Sequence, residues 1–136
     1  MRKEFIAFLK AIDANTGLSV VPRDVEPYVD KLLENATIIP LREGGVLNAF
    51  IAYYDNQEDS KIAYLSMLAV SSMARGQGIG SQLLDASIEK LKQKGFRGYR
   101  LEVLKSNDKA IRIYDKFGFK VIGEDGQMYK MEKTLV

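Results

Sequence analysis

The amino-acid sequence predicts one α/β domain over residues 1–136, a mixed sheet of roughly six or seven strands flanked by about four helices. Three observations predict it. An apolar strand (Ile62 to Val70), a helical stripe (Ile79, Leu83, Leu84, Ile88, Leu91) and a second apolar strand (Gly98 to Leu104) follow one another. A strand–helix–strand unit of this kind implies parallel neighbours. Gly44-Gly45 and Asp125-Gly126 each divide two strand-like runs, the mark of antiparallel hairpins. The first third of the chain instead spaces its apolar residues at the helical period. A length of 136 residues suffices for a real core.

Taken in order, Phe5, Phe8, Leu9 and Ile12 share a face and predict an amphipathic helix over residues 2–14. Asn15-Thr16-Gly17 would stop it, and Leu18 to Val21 reads as a short strand or an extended connection. Asp24 is the expected N-cap of a second helix. Val25, Tyr28, Val29, Leu32 and Leu33 form its stripe, with Pro27 tolerated in the first turn. Both stripes read as core packing, with the wall of a substrate pocket as the alternative. Ala36 to Arg42 and Val46 to Tyr54 make the first hairpin, and Pro40 places the first arm at an edge or a bulge. After Ile62 to Val70 and the third helix, Gly95 is the expected residue just past that helix's end. Asp108 to Phe117 reads as a short helix ended by Gly118. Phe119 to Ile122 and Met128 to Leu135 are the last two strands.

Composition narrows the chemistry. Apolar residues make up 46% and charged residues 28%, the balance of an ordinary soluble protein. A net charge of +2 is too small to argue for nucleic acid. The sequence has no cysteine and no histidine. Disulfides, thiolate metal sites, cysteine nucleophiles and serine–histidine triads are thereby excluded, and no metal is expected. Acid–base work must fall to Tyr, Glu, Asp, Lys, the backbone or water. The N-terminus lacks a signal-peptide core, and no run approaches the ~20 apolar residues of a membrane span. The expected location is cytoplasmic, with no membrane partner.

The stretch Tyr64 to Leu84, YLSMLAVSSMARGQGIGSQLL, organises the rest. A strand, a glycine-rich loop and a helix N-terminus in that order make a phosphate site. Glycines admit an anion close to the backbone, and the first N–H groups of the helix point at it. Arg75-Gly76-Gln77-Gly78-Ile79-Gly80 is not a P-loop, since no Gly-Lys-Ser/Thr follows. It is also a poor dinucleotide fingerprint: Ser81 stands where the third glycine belongs, and Ser71 to Ala74 separate the loop from its strand. A nicotinamide oxidoreductase is disfavoured on that spacing.

LAV followed by RGQGIGSQLL resembles the acyl-coenzyme A motif Q/R-x-x-G-x-G/A of the GNAT N-acetyltransferase superfamily. Leu101 to Phe119, LEVLKSNDKAIRIYDKFGF, is similar to a second block of that family. Together the two blocks cover roughly residues 62–122. The resemblance implies a fold in which two parallel strands splay apart and the cofactor's pantetheine arm enters the gap. It implies acetyl-CoA as cosubstrate. The amides of Gln77, Gly78, Ile79 and Gly80, next to Gly76 and Ser81, would hold the pyrophosphate, and Arg75 would add charge. Backbone groups of Leu68 and Val70, on either side of Ala69, would pair with the arm, and the Leu68 N–H would polarise the thioester carbonyl. Ordinary buried strand is the alternative for these three residues. Tyr114 stands at the position of the family's general acid, or is a core aromatic beside Ile111. Asn107 would cap the following helix or contact the pantetheine amides.

Many family members carry a glutamate four residues before the position of Leu68, where this chain has Tyr64. Glu102 is then the candidate base. The LEV…SN…Y block is similar to that of bacterial acetyltransferases acting on the N-terminal alanine of a ribosomal protein, whose glutamate there is assigned as the base. A solvated strand glutamate and a water chain are the alternatives. Lys105, Lys109, Arg112 and Lys116 would meet an adenosine 3′-phosphate or form a solvated basic surface. The opening helices and YVDKLLENAT resemble GNAT proteins encoded with bacterial surface-polysaccharide genes. That favours a small amine acceptor such as an amino sugar. A protein or peptide N-terminal amine, or a non-catalytic acyl-CoA-binding module, is the alternative. A homodimer is compatible with the sequence.

Overall fold

In a computed structural model, residues 1–12 and 19–136 are described. The proposed stop at Asn15-Thr16-Gly17, and Leu18, lie outside them. Helix α1 (Arg2–Ala11) packs on α2 (Val25–Asn35). Six strands follow: β1 (Thr37–Glu43), β2 (Val46–Tyr54), β3 (Ile62–Val70), β4 (Gly98–Leu104), β5 (Lys120–Asp125) and β6 (Met128–Thr134). A 3-10 turn (Ser72–Ala74) and α3 (Ile79–Gln93) separate β3 from β4, and α4 (Asp108–Lys116) separates β4 from β5. The sheet runs β1-β2-β3-β4-β6-β5. Its β3–β4 pair is parallel and its other neighbours are antiparallel. This is the mixed sheet expected, with six strands, because Ser19 to Val21 join no strand.

Alternation along β2 assigns its two faces. Ala49, Ile51 and Tyr53 enter one core with α3, α4 and Phe119, while Phe50 and Ala52 enter the other with α1 and α2. Phe50 is wholly buried and meets the Phe5 ring edge-on at 4.8 Å. Burying a side chain of this size stabilises by about 1.5–3 kcal/mol. On the opposite face Tyr53, Tyr99, Phe119 and Tyr114 form a chain of ring contacts 5.6–6.0 Å apart. Ser87, the buried polar residue beside it, shares a hydrogen bond with the Tyr99 hydroxyl at 3.0 Å.

Chain ends of the elements follow local chemistry. Gly95 (φ +82°) closes α3: its N–H reaches the Lys92 carbonyl and that of Phe96 reaches Leu91, each at 3.0 Å. Gly118 and Phe119 repeat the pattern on α4, so Phe119 folds back over Tyr114. Pro40 lies on edge strand β1, beside a register shift at Leu41/Arg42. Asp24 occupies the N-cap position of α2, as expected, although its side chain makes no capping bond. α1 ends at Ala11, short of the predicted residue 14. Among the described residues no helix is long and apolar enough to cross a membrane.

Candidate active site

β3 carries the geometry of the site. It pairs with β2 from Tyr64 to Val70, yet its ladder with β4 is confined to Ile62, Ala63 and Tyr64, opposite Gly98, Tyr99 and Arg100. Beyond that point the two parallel strands part. A bulge explains the divergence: Tyr53 faces Leu65 and Ala52 faces Met67, which leaves Ser66 without a partner in the ladder. A bulge bends its strand and sharpens the local twist. After it, Leu68, Ala69 and Val70 remain buried while their β4 side is unpaired. The Leu68 N–H is not spent on the sheet. It donates to Ser19 Oγ at 2.9 Å.

At the exit of β3 the chain makes the 3-10 turn, an extended Arg75, and then Gly76 (φ +81°) and Gly78 (φ +73°). Residues with a Cβ strain in that left-handed region. Gly78 is the N-cap of α3, and the first helical bond runs from Gln82 N–H to the Gly78 carbonyl. The N–H groups of Ile79, Gly80 and Ser81 therefore precede the ladder. The first turn of α3 holds no acidic residue. A cavity of about 200 Å³ opens over this helix end, lined by Val70, Ala74, Arg75, Gly76, Gly78, Ile79, Gly80, Ser81 and, from α4, Lys109 and Ile113. A Cβ at Gly76 or Gly78 would meet no protein atom within 4 Å. Glycine is needed there for backbone conformation, not for room inside the protein. Gln77 stands between the two glycines with an exposed side chain.

Tyr114 projects from α4 and is 1% exposed. Burial pushes its phenol well above the usual tyrosine range, and a hydrogen bond with Ser19 opposes that shift. The phenol is thus neutral throughout the physiological range. Asn107 caps α4, its Oδ1 accepting the Ala110 N–H at 3.1 Å.

Glu102 lies on β4 between buried Leu101 and Val103, on the opposite face, as strand alternation requires. Its Oε1 accepts the Tyr64 hydroxyl at 3.0 Å. Burial, followed by that bond to the carboxylate, raises the Tyr64 phenol. Tyr64 lines two cavities at once. One, of about 220 Å³, includes Arg100, Glu102 and Lys130. The other, of about 510 Å³, lies between α2 and β3 and is walled by Tyr28, Lys31, Asn35, Tyr54, Asn56, Gln57, Ile62 and Ser66. The Tyr28 hydroxyl shares a 2.7 Å hydrogen bond with Ser66 Oγ, and burial pushes its pKa up to about 12. Of the four basic residues near α4, Lys109 reaches the helix-end cavity. Lys105 instead pairs with Glu124 and lies over the Tyr129 ring, while Arg112 and Lys116 are exposed.

A family model described as the acetyltransferase (GNAT) family matches residues 9–119. The chain belongs to the GNAT family of acetyltransferases. It is 32% identical over 125 residues to a ribosomal-protein alanine N-acetyltransferase of Haemophilus ducreyi, covering 79% of this chain and 86% of that one. The PaiA N-acetyltransferase of Thermoplasma acidophilum, solved in complex with coenzyme A, superposes with a TM-score of 0.69 at 25% identity, over 81% of this chain and 69% of that one. The fold of the Escherichia coli ribosomal-protein alanine N-acetyltransferase matches with a TM-score of 0.81 at 21% identity, over 98% and 87% of the two chains. This GNAT protein is an acetyl-CoA-dependent acyltransferase of mixed six-stranded fold.

The residues present fit coenzyme A. Two left-handed glycines, unladdered amides, a helix end without acidic residues and the cations Arg75 and Lys109 suit a diphosphate. The sequence places the glycine-rich loop, Leu68, Glu102 and Tyr114 on the same elements as the structure does. Sequence reasoning did not find Ser19 or Ser66, took Tyr28 for a stripe residue, and saw Tyr64 only as a departure from the family pattern. The alternating apolar-polar run around Ser66 gave no sign of a bulge.

Proposed function

We propose that this GNAT protein acetylates the N-terminal amine of a peptide or protein. The observation that carries the reading is the position of the Tyr64–Glu102 pair. It sits where the splayed strands begin, and Tyr64 faces the 510 Å³ cleft walled by Tyr28, Tyr54, Asn35, Asn56 and Gln57. Amide side chains offer both donors and acceptors, as a peptide backbone demands, and tyrosines offer flat apolar contact with a polar tip. Lys31 is the charged group among the cleft's lining residues, so no carboxylate there competes for a protonated amine. The name of the Haemophilus ducreyi relative, a ribosomal-protein alanine N-acetyltransferase, agrees with this acceptor.

In this reading Glu102, through the Tyr64 hydroxyl, takes the proton that the attacking amine must lose. The Leu68 N–H points into the gap where the thioester carbonyl would lie and stabilises the charge that develops on it. Tyr114 donates to the departing sulfur, its proton shared as negative charge appears beside it. The alternating aromatic and amide lining also suits a sugar ring, so an amino sugar is the second reading. A panel decides between them. Peptides of six residues with free and N-blocked termini would be compared with amino sugars, following free thiol release from acetyl-CoA. Turnover confined to free-terminus peptides is expected. Turnover on amino sugars with none on peptides would reverse the assignment.

A further inference from the structure

One hydroxyl outside both sequence blocks holds the main-chain N–H that the proposed function gives to the thioester carbonyl. Ser19, in the connection between α1 and α2, accepts the Leu68 N–H at 2.9 Å. The same side chain holds back the rise that burial gives the Tyr114 phenol's pKa. Ser19 lies 49 residues from Leu68 in sequence, so no local turn imposes this contact. A buried N–H left without an acceptor costs about 1–3 kcal/mol. Where β3 has left β4, the sheet supplies no carbonyl to take it. Ser19 supplies the oxygen instead.

An N–H donates one strong bond. In the proposed function that bond belongs to the thioester carbonyl, and the Tyr114 hydroxyl belongs to the sulfur beside it. Ser19 Oγ therefore stands where the carbonyl oxygen would stand, on the same N–H. We infer that Ser19 is an exchange residue: its hydroxyl holds the Leu68 N–H until an acyl group arrives, yields it to the thioester carbonyl, and retakes it once the acyl group has left on the amine. Ser19 touches no bond that forms or breaks, so its role is positioning and discrimination. It sets how strongly the protein distinguishes acetyl-CoA from coenzyme A, because the free thiol has no carbonyl to claim the N–H. The inference rests on the proposed role of Leu68.

The test is calorimetric titration of acetyl-CoA and of coenzyme A into wild type, Ser19→Ala and Ser19→Thr. Removing a competing hydrogen bond of ordinary net strength should tighten acetyl-CoA binding by about 2- to 10-fold in Ser19→Ala. Affinity for coenzyme A should stay at the wild-type value. Ser19→Thr, which keeps the hydroxyl, should keep the wild-type ratio. A merely structural serine would weaken both ligands together or neither, and an unchanged or inverted ratio overturns the inference. Wild type that binds neither ligand overturns the cofactor site as well, so the two failures are distinct. Should Ser19→Ala not fold, the Leu68 amide resonance in wild type gives the same answer. It should move with acetyl-CoA and hold with coenzyme A, and identical shifts would refute the exchange.

Discussion

The two ends of β3 are built on different principles. Its C-terminal end and the loop that follows use the backbone: left-handed Gly76 and Gly78, amides ahead of the α3 ladder, and the Leu68 N–H turned away from the sheet. Its N-terminal end uses side chains: Tyr64 against Glu102, then Tyr28, Tyr54 and the amides of Asn35 and Asn56 around the cleft. A backbone site binds what every cofactor molecule shares, a diphosphate and a carbonyl. A side-chain site can be rebuilt residue by residue, and in the proposed function this one defines the acceptor. The division teaches where substitution should abolish chemistry, where it should weaken cofactor binding, and where it should touch stability alone.

The largest effect should come from the side-chain end. Glu102→Gln keeps an acceptor for the Tyr64 hydroxyl but removes the proposed base, and kcat/KM should fall by roughly 10²–10⁴. Tyr114→Phe, at the backbone end, should fall by a similar factor through kcat. The pH profile then separates the pair. Burial raises the Tyr114 phenol, so its proton is retained past the ordinary tyrosine value of about 10. Activity should therefore show no loss from Tyr114 ionisation below about pH 10. An alkaline fall near pH 8 that vanishes in Tyr114→Phe would contradict this. Steady-state rates with acetyl-CoA and a free-terminus peptide supply both readings.

A smaller effect should follow at the cradle. Gly78→Val places a β-branched residue at φ +73°. The left-handed region costs a non-glycine residue about 1–2 kcal/mol, to be met by distorting the α3 N-terminus. KM for acetyl-CoA should rise by about tenfold or more while the acceptor KM stays put. Equal rises in both would mean that the two ends of β3 are not independent.

How much of this was legible in the sequence follows the same division. Glycine is the one residue that adopts φ +81° and +73° without strain, so the loop marked itself. The parallel unit showed because its strands and helix have clear periods. The Tyr64–Glu102 bond was hidden because it depends on register: Tyr64 faces Arg100 across the parallel pair, which brings Glu102, two residues on, to the same face. No local pattern carries that alignment over 38 residues. Tyr28 shares a stripe with Val25, Val29 and Leu32. Periodicity sees the stripe and not the hydroxyl at its edge. Ser19 belongs to a connection without any period, and its partner is a main-chain group that no side-chain pattern reveals.

Asn107 tests the division at its finest. It falls within the second block, so resemblance offers it to the cofactor, yet its Oδ1 is committed to the Ala110 N–H. If capping is its work, Asn107→Ala should cost about 1 kcal/mol of stability. For a domain of this size that is about 3–5 °C in Tm. KM for acetyl-CoA should not move. Asn107→Asp sharpens the point, since aspartate caps as well as asparagine but lacks the amide donors. A cap predicts near wild-type Tm and KM in that variant. A cofactor contact predicts wild-type Tm with a raised KM. Thermal melts and acetyl-CoA saturation curves on the two variants assign the residue to the scaffold of α4 or to the backbone end of the site, because each role loses something the other keeps.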